Sequence, residues 1–211
     1  MTIQELYQQA VQATDPMEAI ALYEQIIQID PQSSEAYNNI GELYGSLNQL
    51  GKAMPYFLKA IELNPMIGVY YSNLALVLQC QGNVEEAIDN YTKSIALQPS
   101  WSAYNNRATL YNYRNEYDRA IADCTAALKL KGQERYVCTK AHLYATRTKA
   151  YMGKEDYRKA LNDLNIGMAL NPSDDIIGFY DKGLLRCNLK LGISPCKVEN
   201  WKLAAAQLLS S

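Results

Sequence analysis

Proline recurs at residues 31, 65 and 99, and each of these prolines closes a similar phrase. The three phrases are IALYEQIIQIDP, AMPYFLKAIELNP and AIDNYTKSIALQP, and they end 34 residues apart. A fixed period of this length is typical of an array of small repeats, each of which buries its apolar face against its neighbours. The period therefore favours an elongated array whose function belongs to an exposed surface rather than to a pocket.

Two further copies of the phrase follow with altered spacing. They read AIADCTAALKLKG and ALNDLNIGMALNP, and the second copy ends at Pro172. One alanine recurs in all five repeats, as Ala19, Ala53, Ala87, Ala120 and Ala160. A second signature precedes it in the later repeats, as YNNIGELY, YSNLALVL, YNNRATLY and YATRTKAY. The array therefore covers most of the 211 residues.

Within the second repeat the core positions follow helical spacing, first at Tyr37, Ile40, Gly41 and Tyr44, then at Ala53, Phe57 and Ala60. This spacing places each set on one face of an α-helix. Asp15 before Pro16 and Ser194 before Pro195 favour helix starts, because they combine an N-cap side chain with proline at the first helical position. We predict about twelve helices and no strands, paired as antiparallel hairpins.

These signatures make the chain resemble the tetratricopeptide repeat proteins, a family of 34-residue helical hairpins. The bulky and small positions of the family signature are held by Tyr37, Tyr71, Tyr104, Tyr144, Gly41, Ala75 and Ala108. The resemblance implies an all-α, right-handed solenoid that forms a single domain over residues 1–211. Repeats are expected at approximately 2–33, 34–67, 68–100, 101–133 and 141–174, with a partial repeat and capping helix pair at 175–211.

Composition limits the classes of partner. The 20 basic and 22 acidic side chains nearly balance, and they form no basic cluster for phosphate neutralisation, so we expect no nucleic acid. The start, MTIQELYQQA, lacks the regions of a secretion signal, and no apolar run suits membrane insertion. The five cysteines form no CxxC pair, and we expect buried free thiols in a reducing, cytoplasmic compartment.

The chain offers few groups for chemistry. His142 is its only histidine, and the sequence contains neither a nucleophile elbow nor a glycine-rich phosphate loop. Carboxylates such as Glu85 and Glu86 fit solvated helix starts, where they interact favourably with the helix dipole. We therefore expect no enzymatic activity, no metal, no cofactor and no small-molecule substrate.

In the resembled family, the first helices of the hairpins line a concave groove that holds extended peptides or helices of partner proteins. The residues expected on that face are Asn38, Asn39, Glu42, Ser72, Asn73, Leu76, Asn105, Asn106, Thr109, Asn112, Tyr113 and Lys149. Asn39, Asn73 and Asn106 recur at one position, and their amides can both donate to and accept from an extended backbone. The same amides could instead bridge adjacent repeats, and the sequence leaves both interpretations open.

Tyrosine is unusually frequent, with 17 residues against two phenylalanines. Most of these tyrosines occupy repeat positions that suit core packing, with the hydroxyl reaching an edge. Tyr70, Tyr113 and Tyr180 fall outside the buried stripe. We therefore consider these three as candidates for contact with a ligand.

Charged residues enter the helical stripe in the fourth and fifth repeats. Arg107 and Arg147 occupy the position that aliphatic residues hold in the second and third repeats. Sixteen residues later stand Asp123 and Asp163, respectively. Because a buried charge without a partner is costly, we predict an Arg107–Asp123 pair and an Arg147–Asp163 pair inside their own hairpins.

Two local features interrupt the pattern. Pro55 lies inside a predicted helix and leaves the carbonyl of Gly51 without its usual donor, so we expect that helix to start late or to bend. About six extra residues fall within KGQERYVCTKAH, between the fourth and fifth repeats. They are expected to form a loop or an N-terminal extension of the next helix.

The sequence thus predicts a non-catalytic scaffold or adaptor that recruits another protein. Its partner is expected to bind as an extended peptide or helix across the second to fourth repeats, where the signatures are most regular. One alternative is a structural protein whose copies stack end to end. Another is a non-catalytic subunit attached to an enzyme.

Overall fold

The computed structural model describes residues 1–131, 137–170 and 174–192, with the side chains of 137–139 and 174–176 left undescribed. These residues form eleven α-helices and contain no strand, which confirms the all-α class. Two compact units are distinguished, Met1–Pro99 (unit 1) and Ser100–Ser211 (unit 2). The interpretation of residues 1–211 as one domain remains a prediction.

Unit 1 consists of three helical hairpins. Its helices are α1 (Ile3–Gln12), α2 (Pro16–Ile29), α3 (Ser34–Ser46), α4 (Leu50–Leu63), α5 (Gly68–Cys80) and α6 (Val84–Leu97). Each first helix packs against the second helix of its own hairpin, and α2 and α4 also pack against the first helix that follows. Every hairpin thus buries one face internally and another against its neighbour, as expected for a repeat array.

Unit 2 continues the same pattern. Its described helices are α7 (Trp101–Tyr113), α8 (Tyr117–Leu128), α9 (Val137–Gly153), α10 (Tyr157–Ala169) and α11 (Asp174–Lys190). Because α9 begins at Val137, residues 137–140 of the insertion are a helical extension, whereas 132–136 lie outside the described residues. The terminal helix expected from Ser194 onward, with its proline start, also lies outside them, so the capping pair remains a prediction.

The recurrent alanine of each repeat occupies a fully packed position. Its five copies are all buried, namely Ala19, Ala53, Ala87, Ala120 and Ala160. The two helices of the second repeat approach closely at Gly41, because a Cβ atom there would lie 2.7 Å from Cε1 of the buried Phe57. A larger residue at 41 would displace this ring, which explains why a small residue stands there.

The start of α2 is capped as the sequence predicts. The Asp15 carboxylate accepts a hydrogen bond of 3.0 Å from the backbone N–H of Met17, and Pro16 is the first helical residue. Of the two outcomes expected for α4, the late start is wrong and the bend remains a prediction. This helix begins three residues before its recurrent alanine, as α2 does, and contains Pro55. Gly51 is exposed, so its carbonyl can be hydrated.

Four hairpin turns place one residue in the left-handed region. Asn48, Gly82, Asn115 and Glu155 have φ values of 57°, 82°, 60° and 59°, and each lies five residues before the recurrent alanine. This conformation suits glycine and asparagine, whereas a glutamate Cβ crowds the following carbonyl oxygen. The last of these turns therefore contains backbone strain that the others avoid.

Replacing Glu155 with glycine is expected to raise the free energy of unfolding by about 0.5–1 kcal/mol, because glycine adopts the turn conformation without a Cβ clash. Urea denaturation followed by circular dichroism measures the change. The reverse substitution at the equivalent turn, Gly82→Glu, serves as the matched control and should lower stability. A lower stability for Glu155→Gly would contradict this interpretation of the turn.

The cysteines do not share one environment. Cys124 and Cys187 are buried free thiols, as expected, and burial raises the pKa of Cys124 to about 12. Cys80 is exposed, so the expectation of burial is wrong there, because this residue is the last of α5 and lies beyond its packed turns. The side chains of Cys138 and Cys196 lie outside the described residues.

Candidate functional site

The face formed by the first helices of the hairpins, hereafter the first-helix face, carries the residues proposed from the sequence. In unit 1, α3 contacts α5 directly. In unit 2, α9 contacts both α7 and α11. Side chains on adjacent first helices are therefore close enough to cooperate, and the two units are considered separately below.

In unit 1, three side chains of the face form one hydrogen-bond network. Asn73 Nδ2 on α5 donates to Asn38 Oδ1 at 3.0 Å and to Glu42 Oε1 at 2.7 Å, both on α3. Asn38 Nδ2 also donates to Glu42 Oε1, at 2.9 Å. Asn38 is buried, whereas Glu42 is exposed. The network therefore ties the second repeat to the third and holds one carboxylate at the surface.

The recurrent asparagines differ in their surroundings. Asn73 bridges two repeats as described above, whereas Asn39 on α3 and Tyr23 on α2 line the same surface groove. Burial raises the pKa of the Tyr23 phenol, and the nearby Asn39 amide opposes that effect. Asn106 is partly buried on α7. Of the two interpretations left open by the sequence, bridging is thus observed for Asn73.

In unit 2, the equivalent bridge is made by different residues. Thr146 Oγ1 on α9 donates to Asn105 Oδ1 at 2.9 Å, and Asn112 Nδ2 donates to the backbone carbonyl of Thr146 at 2.8 Å. Asn112 Oδ1 is buried and accepts no hydrogen bond from the described part of the chain. A buried acceptor without a donor is costly, so its presence calls for a structural or functional explanation.

This unpaired oxygen belongs to a residue that lines a surface cavity of about 400 Å³, hereafter the α7–α9 cavity. Its lining residues are Thr109, Asn112, Tyr113, Tyr117, Thr146 and Lys149. Tyr113 is 77% exposed, and Lys149 Nζ lies 5.6 Å from the ring centroid of Phe179 on α11. Four of the six lining residues were expected on this face from the sequence.

Two tyrosines proposed for ligand contact are instead part of the core. Tyr70 is buried, with its hydroxyl 3.1 Å from Ser34 Oγ of the preceding hairpin. Tyr180 on α11 is fully buried and donates to the carbonyl of Ala141 on α9. The prediction considered only the face that each first helix buries within its own hairpin. It omitted the second face, which each first helix buries against the neighbouring hairpin. The proposal of ligand contact is therefore wrong for both residues.

The remaining predicted positions lie at the surface of the first-helix face. Ser72 is partly buried and donates to the carbonyl of Val69, and Thr109 is exposed and donates to the carbonyl of Asn105. Leu76 is 47% exposed, which leaves an apolar side chain available for contact.

Both predicted ion pairs are present, with buried aspartates and partly buried arginines. Arg107 donates to Asp123 from Nε and Nη2 at 2.8 and 2.7 Å. Arg147 donates to Asp163 in the same way at 2.7 and 2.8 Å, and its Nη1 donates to Thr125 Oγ1 on α8 at 3.0 Å. Burial lowers the pKa of each arginine, but hydrogen bonding and the aspartate charge outweigh burial and raise it overall. Bidentate pairing thus satisfies both charges.

Groups of three or more histidine, cysteine, aspartate or glutamate side chains that could hold a metal ion do not occur within the described ranges. None of the described helices is both long and apolar enough to cross a membrane.

Family models confirm the repeats. Three models of the tetratricopeptide repeat match residues 34–66, 68–101 and 102–134, in register with the second, third and fourth hairpins. The chain is a tetratricopeptide repeat protein. No curated protein sequence matches the chain significantly.

Solved structures of tetratricopeptide repeat proteins share the fold. MamA superposes with a TM-score of 0.62 at 21% identity, covering 84% of this chain and 91% of MamA. YrrB, a tetratricopeptide repeat protein with an unusual peptide-binding site, superposes with a TM-score of 0.63 at 19% identity, covering 79% of this chain and 84% of YrrB. A tetratricopeptide repeat protein from Parabacteroides merdae superposes with a TM-score of 0.71 at 17% identity, covering 90% of this chain and 73% of the other. At these identities the likeness shows the fold alone.

Family membership defines the general role. Tetratricopeptide repeats are generally non-catalytic scaffolds for interactions between proteins, and the matched repeats support that general role for this chain. The bridging asparagines, the exposed Tyr113 and the α7–α9 cavity are the features from which a more specific role can be argued.

Proposed function

We propose that this tetratricopeptide repeat protein holds an extended segment of another protein on its first-helix face and performs no chemistry itself. The observation that supports this proposal most strongly is the unpaired Asn112 Oδ1 beside the α7–α9 cavity. Because this oxygen is buried, a donor reaches it only when the Asn112 amide turns toward the cavity, and the cost in free energy is then removed. An extended peptide presents a backbone N–H on a given side at every second residue and supplies such a donor.

Tyr113 provides the second element of the proposed contact. It lines the same cavity and exposes most of its ring, in contrast to the buried tyrosines of the repeats. Exposed tyrosines are common among the residues that dominate binding energy at protein interfaces, because a rigid ring offers a large contact area and a polar end. A peptide backbone on Asn112 with a side chain against Tyr113 would use both features at once.

Charge and family likeness agree with a polypeptide occupant. Lys149 leaves a positive charge at the edge of the α7–α9 cavity, which would favour a carboxylate on the bound segment. YrrB, whose fold the chain shares, has a peptide-binding site. The sequence-based alternatives, end-to-end self-assembly and attachment to an enzyme, remain predictions for which the α7–α9 cavity offers no specific support.

The test begins with selection of random peptides of about 12 residues on the full-length chain. For peptides bound by unit 2, Tyr113→Ala is expected to raise Kd about thirtyfold, because an exposed aromatic contact is lost. Asn112→Ala should raise Kd about fivefold to tenfold through loss of one acceptor. Asn162→Ala is the matched control, since Asn162 is an exposed amide on the second helix α10 and should leave Kd unchanged.

Circular dichroism of each variant verifies that the fold is retained. Tyr113→Ala is the safer variant in this respect, because its side chain is exposed, whereas Asn112 also donates to Thr146. Unchanged affinity of every selected peptide for a folded Tyr113→Ala variant would refute the α7–α9 cavity as the binding site. Failure to select any peptide on the wild-type chain would refute the proposed function as a whole.

A further inference from the structure

Charge is distributed very unevenly between the two units. Unit 1 contains three lysines, no arginine and eleven carboxylates, which is a formal net charge of −8. Unit 2 contains seventeen basic and eleven acidic residues, which is +6. The near neutrality of the whole chain therefore conceals two opposite charges. A surface with such a field attracts partners of the opposite sign and accelerates their association.

The three lysines of unit 1 all lie on second helices and are already engaged. Lys59 pairs with Glu62 at 2.8 Å on α4. Lys52 on α4 and Lys93 on α6 lie 5.5 and 5.8 Å from the ring centroids of Tyr44 and Tyr71. The first helices α1, α3 and α5 contain three glutamates and no basic residue. The negative charge of this face is thus uncompensated within unit 1, which the structure describes in full.

Glu42 occupies the junction of two grooves on this face. The α1–α3 groove, of about 480 Å³, is lined by Glu42 together with apolar residues that include Val11 and Leu43. The α3–α5 groove, of about 340 Å³, is lined by Glu42 together with Leu76 and Val77. A chain segment that follows both grooves would therefore pass a carboxylate between two apolar surfaces.

The hydrogen-bond network of unit 1 orients this carboxylate for an outside donor. Asn38 and Asn73 both donate to Oε1 of Glu42, so Oε2 receives no hydrogen bond from unit 1. The network restricts the glutamate to one arrangement before a ligand arrives, which reduces the entropy lost on binding. An ammonium or guanidinium group is the donor that a carboxylate binds most strongly.

From the charge of unit 1, the two grooves and the fixed carboxylate, we infer that unit 1 binds a basic protein segment, with a lysine or arginine on Glu42 and apolar side chains in the adjoining grooves. This inference rests on the proposed function only in that the occupant is a protein segment. The inferred site in unit 1 is separate from the α7–α9 cavity and has its own specificity, for basic segments.

The test uses peptides selected on the full-length chain and compares Glu42→Gln with Glu24→Gln. Both variants remove one negative charge from unit 1, but Glu24 is exposed on the second helix α2 and lines neither groove. Glutamine at 42 can still accept from both asparagines. We expect selected peptides that bind unit 1 to contain lysine or arginine. Their Kd should rise about tenfold in Glu42→Gln and stay unchanged in Glu24→Gln. Raising NaCl from about 50 to about 500 mM should also weaken the binding of these peptides.

Three results would overturn the inference. The first is that the peptides sensitive to residue 42 are acidic or uncharged, and the second is that Glu42→Gln and Glu24→Gln have equal effects. The third is that Glu42 instead mediates salt-sensitive self-association, seen by analytical ultracentrifugation, which would make a second copy of the chain the occupant. If Tyr113→Ala weakens its own peptides while Glu42→Gln weakens none, the proposed function stands and the acidic site fails.

Discussion

Arg147→Met is expected to lower the free energy of unfolding by about 3–5 kcal/mol, because it leaves the charge of Asp163 buried without a partner. Asp163 is 2% exposed and accepts two hydrogen bonds from Arg147, so neither water nor another cation replaces the lost guanidinium. Arg107→Met should have a similar effect through Asp123. Urea denaturation monitored by circular dichroism measures both changes.

Two controls separate the lost pairing from the lost packing. The double variant Arg147→Met/Asp163→Leu removes both charges and is expected to recover most of the stability, because well-packed apolar pairs often replace buried ion pairs without loss. Lys59→Met disrupts the exposed pair with Glu62 and should leave stability unchanged within error. If Arg147→Met were as harmless as Lys59→Met, the buried pair would not have the structural role assigned to it.

Phe57→Ala is expected to lower the free energy of unfolding by about 3–5 kcal/mol, through lost burial and the cavity that remains. Phe57 is 2% exposed and fills the space between α3 and α4, directly against Gly41. Its exposed neighbour Leu58 provides the matched control, since Leu58→Ala removes a side chain that is 50% exposed and should change stability by less than about 1 kcal/mol.

The contact with Gly41 can be tested by a double-mutant cycle. Gly41→Ala alone should destabilise the protein by about 1–3 kcal/mol, because the new Cβ meets the phenylalanine ring. In the Phe57→Ala background the same change should be close to neutral, because the ring is gone. Equal effects of Gly41→Ala in both backgrounds would show that contact with the Phe57 ring does not cause the destabilisation.

The features predicted correctly from the sequence are those confined to one hairpin. The core positions Gly41 and Phe57, the recurrent alanines and the Arg147–Asp163 pair all lie between the two helices of a single repeat. Helical periodicity determines which residues of one helix face the other, so a local pattern is sufficient for such contacts. The match of family models to residues 34–134 follows from the same local signatures.

The geometry of contacts between hairpins could not be predicted from helical periodicity. Tyr70 contacts Ser34 and Asn73 contacts Asn38, in each case across a repeat boundary. Their geometry depends on the rotation from one hairpin to the next, which periodicity within a hairpin does not specify. The bridging role of Asn73 was one of the two interpretations that its recurrence at a fixed position of the repeat left open. The unpaired oxygen of Asn112 had no signal in the sequence, because it results from the same packing.

The most direct measurement is a crystal structure of the full-length chain bound to a peptide selected on it and sensitive to Tyr113→Ala. We expect an extended peptide in the α7–α9 cavity, with a backbone N–H within about 3.2 Å of Asn112 Oδ1 and a side chain packed on the Tyr113 ring. A peptide seated on the second helices, or a complex in which Asn112 Oδ1 still lacks a donor, would contradict the proposed function.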